Sequence, residues 1–368
     1  MRVVFEPVRL GAVYFGGGTA SLLSGRQFEV IWNAIALACR FDSSIETTFE
    51  GEPVSLLNDE LRATLRANGV TRVSFGLQTF DARLRALLGR TDSADDLWKV
   101  RSALERSGFE EINVDYLYAL PGTTAEFVER ELRTLRDFAP TSIDCHPLKY
   151  ASCAPRMLQQ IVDEGLRVPT AELRADMFEM LKATLEADGF AAQFADQYSL
   201  AERTKTNRYM RFLYGLDGGE YVGLGPGARS HYGDYGIQNE PGVGQYLRAV
   251  ASGERPIGKK VFAPHSDNYV TCFPKRADSL STESVSIAFS ADQFVERLAN
   301  LTVGGYLSRE EGGYRMTRMG LRWYQRVQEE LLSESQRQRH RESARVRSLR
   351  FVRWQDHFHE LLEDESQP

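Results

Sequence analysis

Apolar and polar positions follow a repeating order over the first half of the chain: a short apolar run, a polar or glycine-rich end, and then a stretch with helical periodicity. The apolar runs predict strands at residues 11–15, 44–49, 71–77, 112–120 and 142–148. The periodic stretches predict helices at residues 27–40, 58–67, 94–107, 125–138 and 170–188. This alternation indicates parallel strands joined by helical crossovers, in either a barrel or a doubly wound sheet.

Each predicted strand carries a polar or glycine-rich group at or near its end. These groups are the triplet Gly16, Gly17 and Gly18, then Glu50, Gln78, Asp115 and His146. For one such residue alone, a helix cap or a satisfied loop position is the commoner role. Because the carboxyl ends of parallel strands meet at one edge, five such groups together predict a ligand site there.

The stretch YFGGGTAS, residues 14–21, contains three consecutive glycines between a strand and a Ser/Thr-rich start of a helix. Glycine lets the backbone turn tightly and lets a ligand approach the main-chain N–H groups. No Gly-Lys-Ser/Thr follows, and the spacing differs from that of the dinucleotide fingerprint. The triplet is therefore either a tight strand-to-helix turn or a ligand cradle of another kind.

Composition narrows the classes of protein to which the chain can belong. The chain of 368 residues is 42% hydrophobic and 26% charged, with a formal net charge of −6, which is typical of a globular protein and argues against nucleic acid as a partner. It has neither a long apolar run nor a signal-peptide pattern, so no membrane association is predicted and a cytoplasmic location is expected. The four cysteines, which form no C-x-x-C pair, are Cys39, Cys145, Cys153 and Cys272. Neither disulfides nor a metal-ligating set are predicted from them.

Five motifs in order carry a family resemblance: YFGGGTAS, IETTFEGEP, VSFGLQTFDARLRALLGR, NVDYLYALPGTT and YVGLGPGARS. Together they resemble the oxygen-independent coproporphyrinogen III oxidase family of radical S-adenosylmethionine (SAM) enzymes, over about residues 10 to 330. The stretch TCFPKRADSL further resembles a segment of the haem-utilisation branch of that family.

The resemblance implies an α/β fold: a partial (β/α)6 TIM-like radical SAM barrel, with the first β/α unit missing, plus a C-terminal winged-helix-like domain. The domains expected are residues 1–255 for the barrel with a substrate-side extension, 256–332 for the winged-helix-like domain, and 333–368 for a charged helical tail. The tail is basic and then acidic, which is typical of a solvated surface helix or of a helix that meets a partner.

The resemblance also implies which residues bind SAM. They are Gly17, Gly18 and Thr19 for its amino acid end, Glu50, Gln78, Arg90 and Asp115 for its charges and hydroxyls, and Gly225 and Ala228 for the adenosine side. No catalytic residue is assigned. The Gly-Pro segment around Gly225 could also be a plain turn.

One feature departs from the family. Its C-x-x-x-C-x-x-C motif, which holds a [4Fe–4S] cluster, is absent from this sequence, although the cluster is expected for the family. Two explanations are open: a shortened chain, or a degenerate relative that keeps only the cradle. The missing first strand and helix favour the shortened chain.

The function implied is oxidative decarboxylation of coproporphyrinogen propionates, or methylation and ring opening of haem, with a tetrapyrrole substrate and an electron donor such as flavodoxin. Candidate substrate residues are Arg203, Asn207, Arg208, Tyr209 and Arg229. Alternatives are a haem-binding chaperone or carrier, a radical SAM C-methyltransferase acting on another aromatic substrate, and a degenerate SAM-binding protein.

Overall fold

The structure is a computed structural model that describes residues 8–150, 153–201, 207–277, 279–334 and 336–337, with only the backbone at positions 43 and 44. The described residues fall into two compact units, one up to residue 201 and one from Asn207 onwards. The sequence places a boundary after residue 255 instead, and those domain limits stay a prediction. The charged tail beyond position 337 lies outside the described residues.

The first unit is built on one open seven-stranded sheet with strand order β1-β2-β3-β4-β5-β7-β6. Its strands are β1 (Val8–Phe15), β2 (Cys39–Gly51), β3 (Arg72–Gln78), β4 (Glu111–Tyr118), β5 (Ser142–Pro147), β6 (Phe190–Phe194) and β7 (Gln197–Leu200). Strands β1 to β5 are parallel, whereas β7 pairs antiparallel with both β5 and β6. The sheet is curled into half a barrel.

The helices of the first unit lie mostly between the strands. They are α1 (Gly25–Ala38), α2 (Asp59–Ala67), α3 (Ala82–Leu87), α4 (Ala94–Arg106), α5 (Ala125–Phe138), α6 (Pro155–Asp163) and α7 (Ala171–Ala187), with 3-10 turns at Ala20–Leu22 and Val54–Leu57. Side-chain caps fix where several of them begin. Ser24 and Ser93 form capping boxes, and Thr124 and Thr170 accept a hydrogen bond from the third backbone N–H of α5 and α7.

The two faces of the sheet differ in chemistry. One face packs against the helices through aromatic and aliphatic side chains: Phe15 and Phe49 contact Phe28 of α1, and Phe75 contacts Phe138 of α5. Because side chains alternate along a strand, the residues between these apolar positions point to the other, concave face. That inner face carries Tyr14, Glu50, Arg72, Ser74, Asn113, Asp115, Ser142, Asp144 and His146.

The fold expected from the resemblance is confirmed as an α/β half-barrel rich in parallel strands. Five parallel β/α units are present among the described residues, and all five predicted strands and all five predicted helices exist. The antiparallel hairpin β6–β7, which closes one edge of the sheet, was not predicted from the sequence.

The second unit contains two small antiparallel sheets and a set of helices. The sheets are β8 (Arg229–Tyr232), β9 (Tyr235–Asn239) and β10 (Ile257–Phe262), in the order β10-β9-β8, and β11 (Ser279–Ser281), β12 (Leu307–Glu310) and β13 (Gly313–Met316), in the order β11-β13-β12. The helices are α8 (Arg208–Leu213), α9 (Val243–Ala251), α10 (His265–Thr271), α11 (Phe273–Arg276), α12 (Thr282–Ser286), α13 (Ala291–Val303), α14 (Arg318–Arg322) and α15 (Tyr324–Leu331).

Helix α13 and the β12–β13 hairpin lie within residues 256–332, for which the resemblance implies a winged-helix-like domain, and that domain assignment stays a prediction. The helices in the described part of the chain include none that is both long and apolar enough to span a bilayer.

Candidate functional site

The glycine triplet follows β1 at the carboxyl edge of the sheet, and its members are needed for different reasons. A Cβ on Gly16 would lie 2.4 Å from both Glu50 Oε2 and Tyr14 Cε1, so no side chain fits there. Gly17 and Gly18 have φ angles of +78° and +82°, in the left-handed region that favours glycine, and the space beside them is open. No described residue accepts a hydrogen bond from the N–H of Gly17 or Gly18. The turn therefore presents bare backbone donors, and the half-buried Thr19 follows it.

Glu50 of β2 is held by a neighbour that sequence reasoning did not select. The hydroxyl of Tyr14 donates a hydrogen bond of 2.9 Å to Glu50 Oε2. Burial and the nearby carboxylate of Glu50 raise the pKa of Tyr14, so the phenol stays protonated and remains a donor. The Glu50 carboxylate is thereby fixed directly beneath the glycine turn.

Gln78, the last residue of β3, adopts a left-handed backbone conformation with φ +67° at an irregularity in the β3–β4 pairing. A non-glycine residue in this region carries strain, and surrounding contacts must hold it. Arg85 does so from one side, since its Nη1 donates to the carbonyls of Leu77 at 2.6 Å and Thr79 at 2.8 Å. On the other side, Glu131 Oε2 accepts from the Thr79 hydroxyl at 2.7 Å.

Arg90 lies after α3 and reaches back to the same strand end. Its Nη2 donates to the carbonyl of Gly76 at 2.7 Å, and its Nη1 lies 3.0 Å from Glu52 Oε2. Its Nε is buried and lies 3.8 Å from Asp92 Oδ1. Arg90 therefore joins the ends of β2 and β3.

Asp115 of β4 lies in a cluster of ionisable groups. Asp144 and His146, both on β5, lie beside it. The two carboxylates and the imidazole ring each offer one ligating atom, and these three atoms lie within 4.8 Å of one another. Burial, together with the neighbouring carboxylate of Asp144, raises the pKa of Asp115 to about 7. Burial also raises the pKa of Asp144, whereas the guanidinium of Arg72 opposes that shift.

His146 has a second contact behind the cluster. Its Nδ1 lies 3.7 Å from Oδ2 of Asp196, a buried residue in the turn between β6 and β7. Burial lowers the pKa of His146, but the contact with Asp196 outweighs this and raises the pKa above its ordinary value. The hydrogen bond of 2.7 Å from the N–H of Cys145 to the Asp196 carbonyl fixes this turn against β5.

The two remaining positions expected to bind SAM, Gly225 and Ala228, belong to the second unit. Gly225 has φ +103°, and its N–H donates to the hydroxyl of Tyr246 at 3.1 Å. Its carbonyl accepts from Asn239 Nδ2 at 2.9 Å, and the carbonyl of Ala228 accepts from the N–H of Asn239 at 2.8 Å. Within this unit, the Gly-Pro segment is thus a well-fixed turn beside β9.

The expected substrate residues are spread over different local settings. Asn207 caps α8, since its Oδ1 accepts from the N–H of Met210 at 3.2 Å. Arg208 and Tyr209 form the first turn of α8, and Arg229 is an exposed residue at the start of β8. Arg203 lies outside the described residues. A substrate role for these residues stays a prediction.

The four cysteines do not form a cluster-binding set. Cys145, Cys153 and Cys272 are buried, Cys39 is partly buried, and all four are free thiols. Among the described residues, the one group of three metal-ligating side chains consists of Asp115, Asp144 and His146. The cysteines of this chain therefore do not fit a [4Fe–4S] cluster.

Sequence reasoning identified Glu50, Gln78 and Asp115 but omitted Tyr14 and Asp144, which contact or neighbour them. For Asp144 the signal was present in the alternation, because Ser142, Asp144 and His146 occupy every second position of β5, on the face opposite Ile143 and Cys145. Tyr14 had no such signal, since the other residues on its face of β1 include Leu10 and Ala12.

The sequence is similar to those of several known proteins. The family model described as "Radical SAM superfamily" matches residues 2–135. The chain is 30% identical over 263 residues to the heme chaperone HemW of Lactococcus lactis, a match that covers 71% of this chain and 67% of that protein. It is also 30% identical over 254 residues to the oxygen-independent coproporphyrinogen III oxidase of Cereibacter sphaeroides, which covers 67% of this chain and 56% of that protein.

Among solved structures, coproporphyrinogen III oxidase (HemN) from Escherichia coli superimposes with a TM-score of 0.70 at 19% identity, covering 88% of this chain and 78% of that one. At that identity, the similarity establishes the fold.

Proposed function

The chain belongs to the oxygen-independent coproporphyrinogen III oxidase-like family of the radical SAM superfamily, and on this premise we propose that it binds SAM on the inner face of its half-barrel and acts on a porphyrin or haem. The observation that carries the proposal is the arrangement of the bare glycine turn directly above the Tyr14–Glu50 pair, at the carboxyl edge of parallel strands. Ligands of such sheets bind at this edge.

The charges of the site suit SAM. SAM carries positive charge on its sulfonium and ammonium groups and negative charge on its carboxylate. The inner face offers the carboxylates of Glu50, Asp115 and Asp144, whereas Arg72 is already paired with Glu111 at 2.9 Å. The N–H groups of the glycine turn are donors for a carboxylate.

Within this proposal each residue has a distinct task. The glycine turn holds the amino acid end, Glu50 and Asp115 bind the cationic and hydroxyl groups, and Gln78 is aimed into the site by the contacts of Arg85 and Glu131. Arg90 ties the ends of β2 and β3 together, so the two strands present their side chains at a fixed separation. Gly225 and Ala228 are proposed for the adenosine side of the ligand.

Radical chemistry in this family needs an iron–sulfur cluster, which supplies the electron that cleaves SAM. Since the cysteines of this chain do not fit that cluster, the proposal assigns to this chain only the binding and orientation of SAM and of its tetrapyrrole. A cytoplasmic location and a flavodoxin-like electron donor belong to the same proposal.

A second candidate function is that of a haem chaperone, which binds haem without turnover. The observation in its favour is the match to the protein named heme chaperone HemW, which at 30% identity covers 67% of that relative. Both candidates share the SAM site and differ in what happens to the tetrapyrrole.

Isothermal titration of the purified chain with SAM tests the first part of the proposal. We expect stoichiometric binding that weakens on Glu50→Gln, which removes a charge from the inner face, and on Asp115→Asn, which replaces one of the acceptor oxygens proposed for the hydroxyl groups of SAM. Asp217→Asn is the matched control, since Asp217 pairs with Arg211 in the second unit. Absence of SAM binding, or equal binding by all three variants, would overturn the proposal.

A second measurement separates enzyme from chaperone. The chain, extended at its N-terminus by the family's C-x-x-x-C-x-x-C segment and reconstituted anaerobically with iron, sulfide and a reductant, is mixed with SAM and haem, and the haem Soret band and release of 5′-deoxyadenosine are followed. Formation of 5′-deoxyadenosine with consumption of the tetrapyrrole supports the enzyme. Stoichiometric haem binding without SAM cleavage supports the chaperone and rules out catalysis by this chain.

A further inference from the structure

We infer that Asp115, Asp144 and His146 form a binding site for one divalent transition-metal ion, separate from any iron–sulfur cluster. The three side chains come from the neighbouring strands β4 and β5, and their ligating atoms lie within 4.8 Å of one another. In the parallel pairing, Asp115 stands directly opposite Asp144, and His146 is one step further along the same face. A small closing movement would bring all three to the bonding distances of a metal ion.

The setting of His146 is the strongest sign of a metal site. Histidines that bind metals commonly present their second ring nitrogen to a carboxylate, which fixes the ring and its tautomer. Here Nδ1 faces Asp196 Oδ2 at 3.7 Å, so Nε2 is the nitrogen left for a metal. Asp196 itself is 1% exposed, and the 2.7 Å hydrogen bond from Cys145 to its carbonyl fixes its position.

A buried hydrogen-bond acceptor on the same face, Oδ1 of Asn113, is a second and independent observation that favours a metal site. Asn113 precedes Asp115 by one step on the inner face of β4 and is fully buried. Its Nδ2 donates to Ser74 Oγ at 3.0 Å, which turns the other end of the amide away from β3. Its Oδ1 accepts no hydrogen bond from any described residue. A buried acceptor in this place suits a water molecule bound to the metal ion.

The charges around Asp115 and Asp144 also favour a bound cation. Asp115 and Asp144 are half-buried carboxylates at close range that repel each other, and a divalent cation would neutralise both. The nearest arginine on the inner face, Arg72, is engaged by Glu111 at 2.9 Å, and Arg90 is engaged by Glu52 at 3.0 Å. Each of these guanidinium groups therefore already has a carboxylate partner.

The ligand set indicates the class of metal. One imidazole nitrogen with two carboxylate oxygens suits Zn²⁺, Mn²⁺, Fe²⁺ or Co²⁺, whereas Mg²⁺ and Ca²⁺ prefer oxygen ligands alone. The site shares Asp115 with the proposed SAM site, but its evidence comes from β5 and the β6–β7 turn. Metal binding can therefore be measured in the absence of SAM.

The test uses the full chain without an affinity tag, stripped with a chelator and titrated with Co²⁺ by calorimetry and by visible absorption. We expect one equivalent to bind, with absorption bands of cobalt bound by nitrogen and oxygen. His146→Gln and Asp144→Asn should weaken binding at least about 10–100-fold, the range seen when even the supporting partners of metal ligands are changed. His265→Gln, a histidine of the second unit, controls for adventitious imidazole binding and should bind as the wild type does.

Circular dichroism of the metal-free variants shows whether each is folded. Should Asp144→Asn fail to fold, His146→Gln decides alone, because the His146 side chain is 40% exposed and can be changed at little cost. Failure of the wild type to bind Co²⁺, or equal binding by wild type and His146→Gln, would overturn the metal site. SAM titration of the same metal-free protein shows separately whether the SAM proposal stands.

Discussion

The hydroxyl of Tyr14 and the carboxylate of Glu50 are joined by a hydrogen bond of 2.9 Å beneath the glycine turn. This pair links the end of β1 to the end of β2. The Cβ of any residue at position 16 would collide with both partners. The first glycine of the triplet is thus required by the pair below it, and the other two by their backbone conformation.

Gly16→Ala and Gly18→Ala should therefore each destabilise the protein, but for different reasons. At Gly16 the new methyl group displaces Glu50, so we expect SAM affinity to fall together with a loss of about 1–3 kcal/mol in the free energy of unfolding. At Gly18 there is space, but φ is +82°, and the backbone strain costs about 1 kcal/mol. Urea denaturation and SAM titration of both variants measure this. A Gly16→Ala variant that keeps full SAM affinity would contradict the role of the pair.

Tyr14→Phe removes the donor and leaves Glu50 without this partner. We expect a loss of about 1 kcal/mol in the free energy of unfolding, together with weaker SAM binding. Tyr198→Phe is the matched control, because that buried hydroxyl donates to the Ala195 carbonyl at 3.1 Å and has no part in the proposed site. Both variants should lose similar stability in urea. If both also lose SAM affinity equally, the effect of Tyr14 is general rather than local.

Arg85→Gln should be among the more damaging single substitutions in the first unit. Arg85 is almost fully buried, pairs with Asp92 and donates to two carbonyls around Gln78. Its loss leaves two buried carbonyls without this donor and leaves the buried Asp92 carboxylate with only the longer contact of 3.8 Å to Arg90, which costs about 3 kcal/mol in the free energy of unfolding.

Arg83→Gln, two positions earlier, is the control for this effect. Arg83 is exposed and pairs with Glu164 at 2.6 Å on the surface, so its replacement should cost at most about 1 kcal/mol. Urea denaturation compares the two variants directly. Equal losses would mean that the contacts around Gln78 add nothing to stability.

The thiols should differ in reactivity. Burial raises the pKa of Cys272 to about 11 and raises that of Cys145 well above its ordinary value, so both stay protonated and shielded at about pH 8. Cys39 is the one cysteine that is not fully buried. We expect Ellman's reagent to modify Cys39 first in the native protein and the other three thiols only after unfolding.

Cys39→Ser is the control for this assay, since it should abolish the early phase of colour development. Raising the pH from about 7 to 9 should leave Cys272 unreactive, because the thiolate of Cys272 forms only near its raised pKa. A second fast thiol in the native chain would contradict the burial of the others.

Much of the fold follows from local sequence pattern. The helix predicted at residues 125–138 is α5, with the same limits, because its apolar spacing is regular and Thr124 supplies the cap. The strands were predicted to within a few residues, and their polar ends could be placed at one edge by the rule for parallel strands. Glu50, Gln78 and Asp115 were found in this way, and the family resemblance assigned them a ligand.

The register between strands determines which side chains of neighbouring strands lie beside each other, and this register could not be predicted from the sequence. Alternation along one strand tells which residues share a face, and the pairing of Asp115 with Asp144 depends on how β4 and β5 lie against each other. His146 was noticed at a strand end, yet its contact with Asp196 arises from the hairpin that follows β5 some forty residues later in the chain.

The sequence by itself determined the five parallel strands, the helices between them, the alternation of side chains along those strands, and the family. The tertiary structure decided which polar groups converge: Tyr14 on Glu50, Arg85 around Gln78, and Asp115 with Asp144 and His146. The physical reason is that strand and helix periodicity are set by neighbouring residues, whereas the distances between strands are set by packing of the apolar face against the helices, which involves residues far apart in the chain.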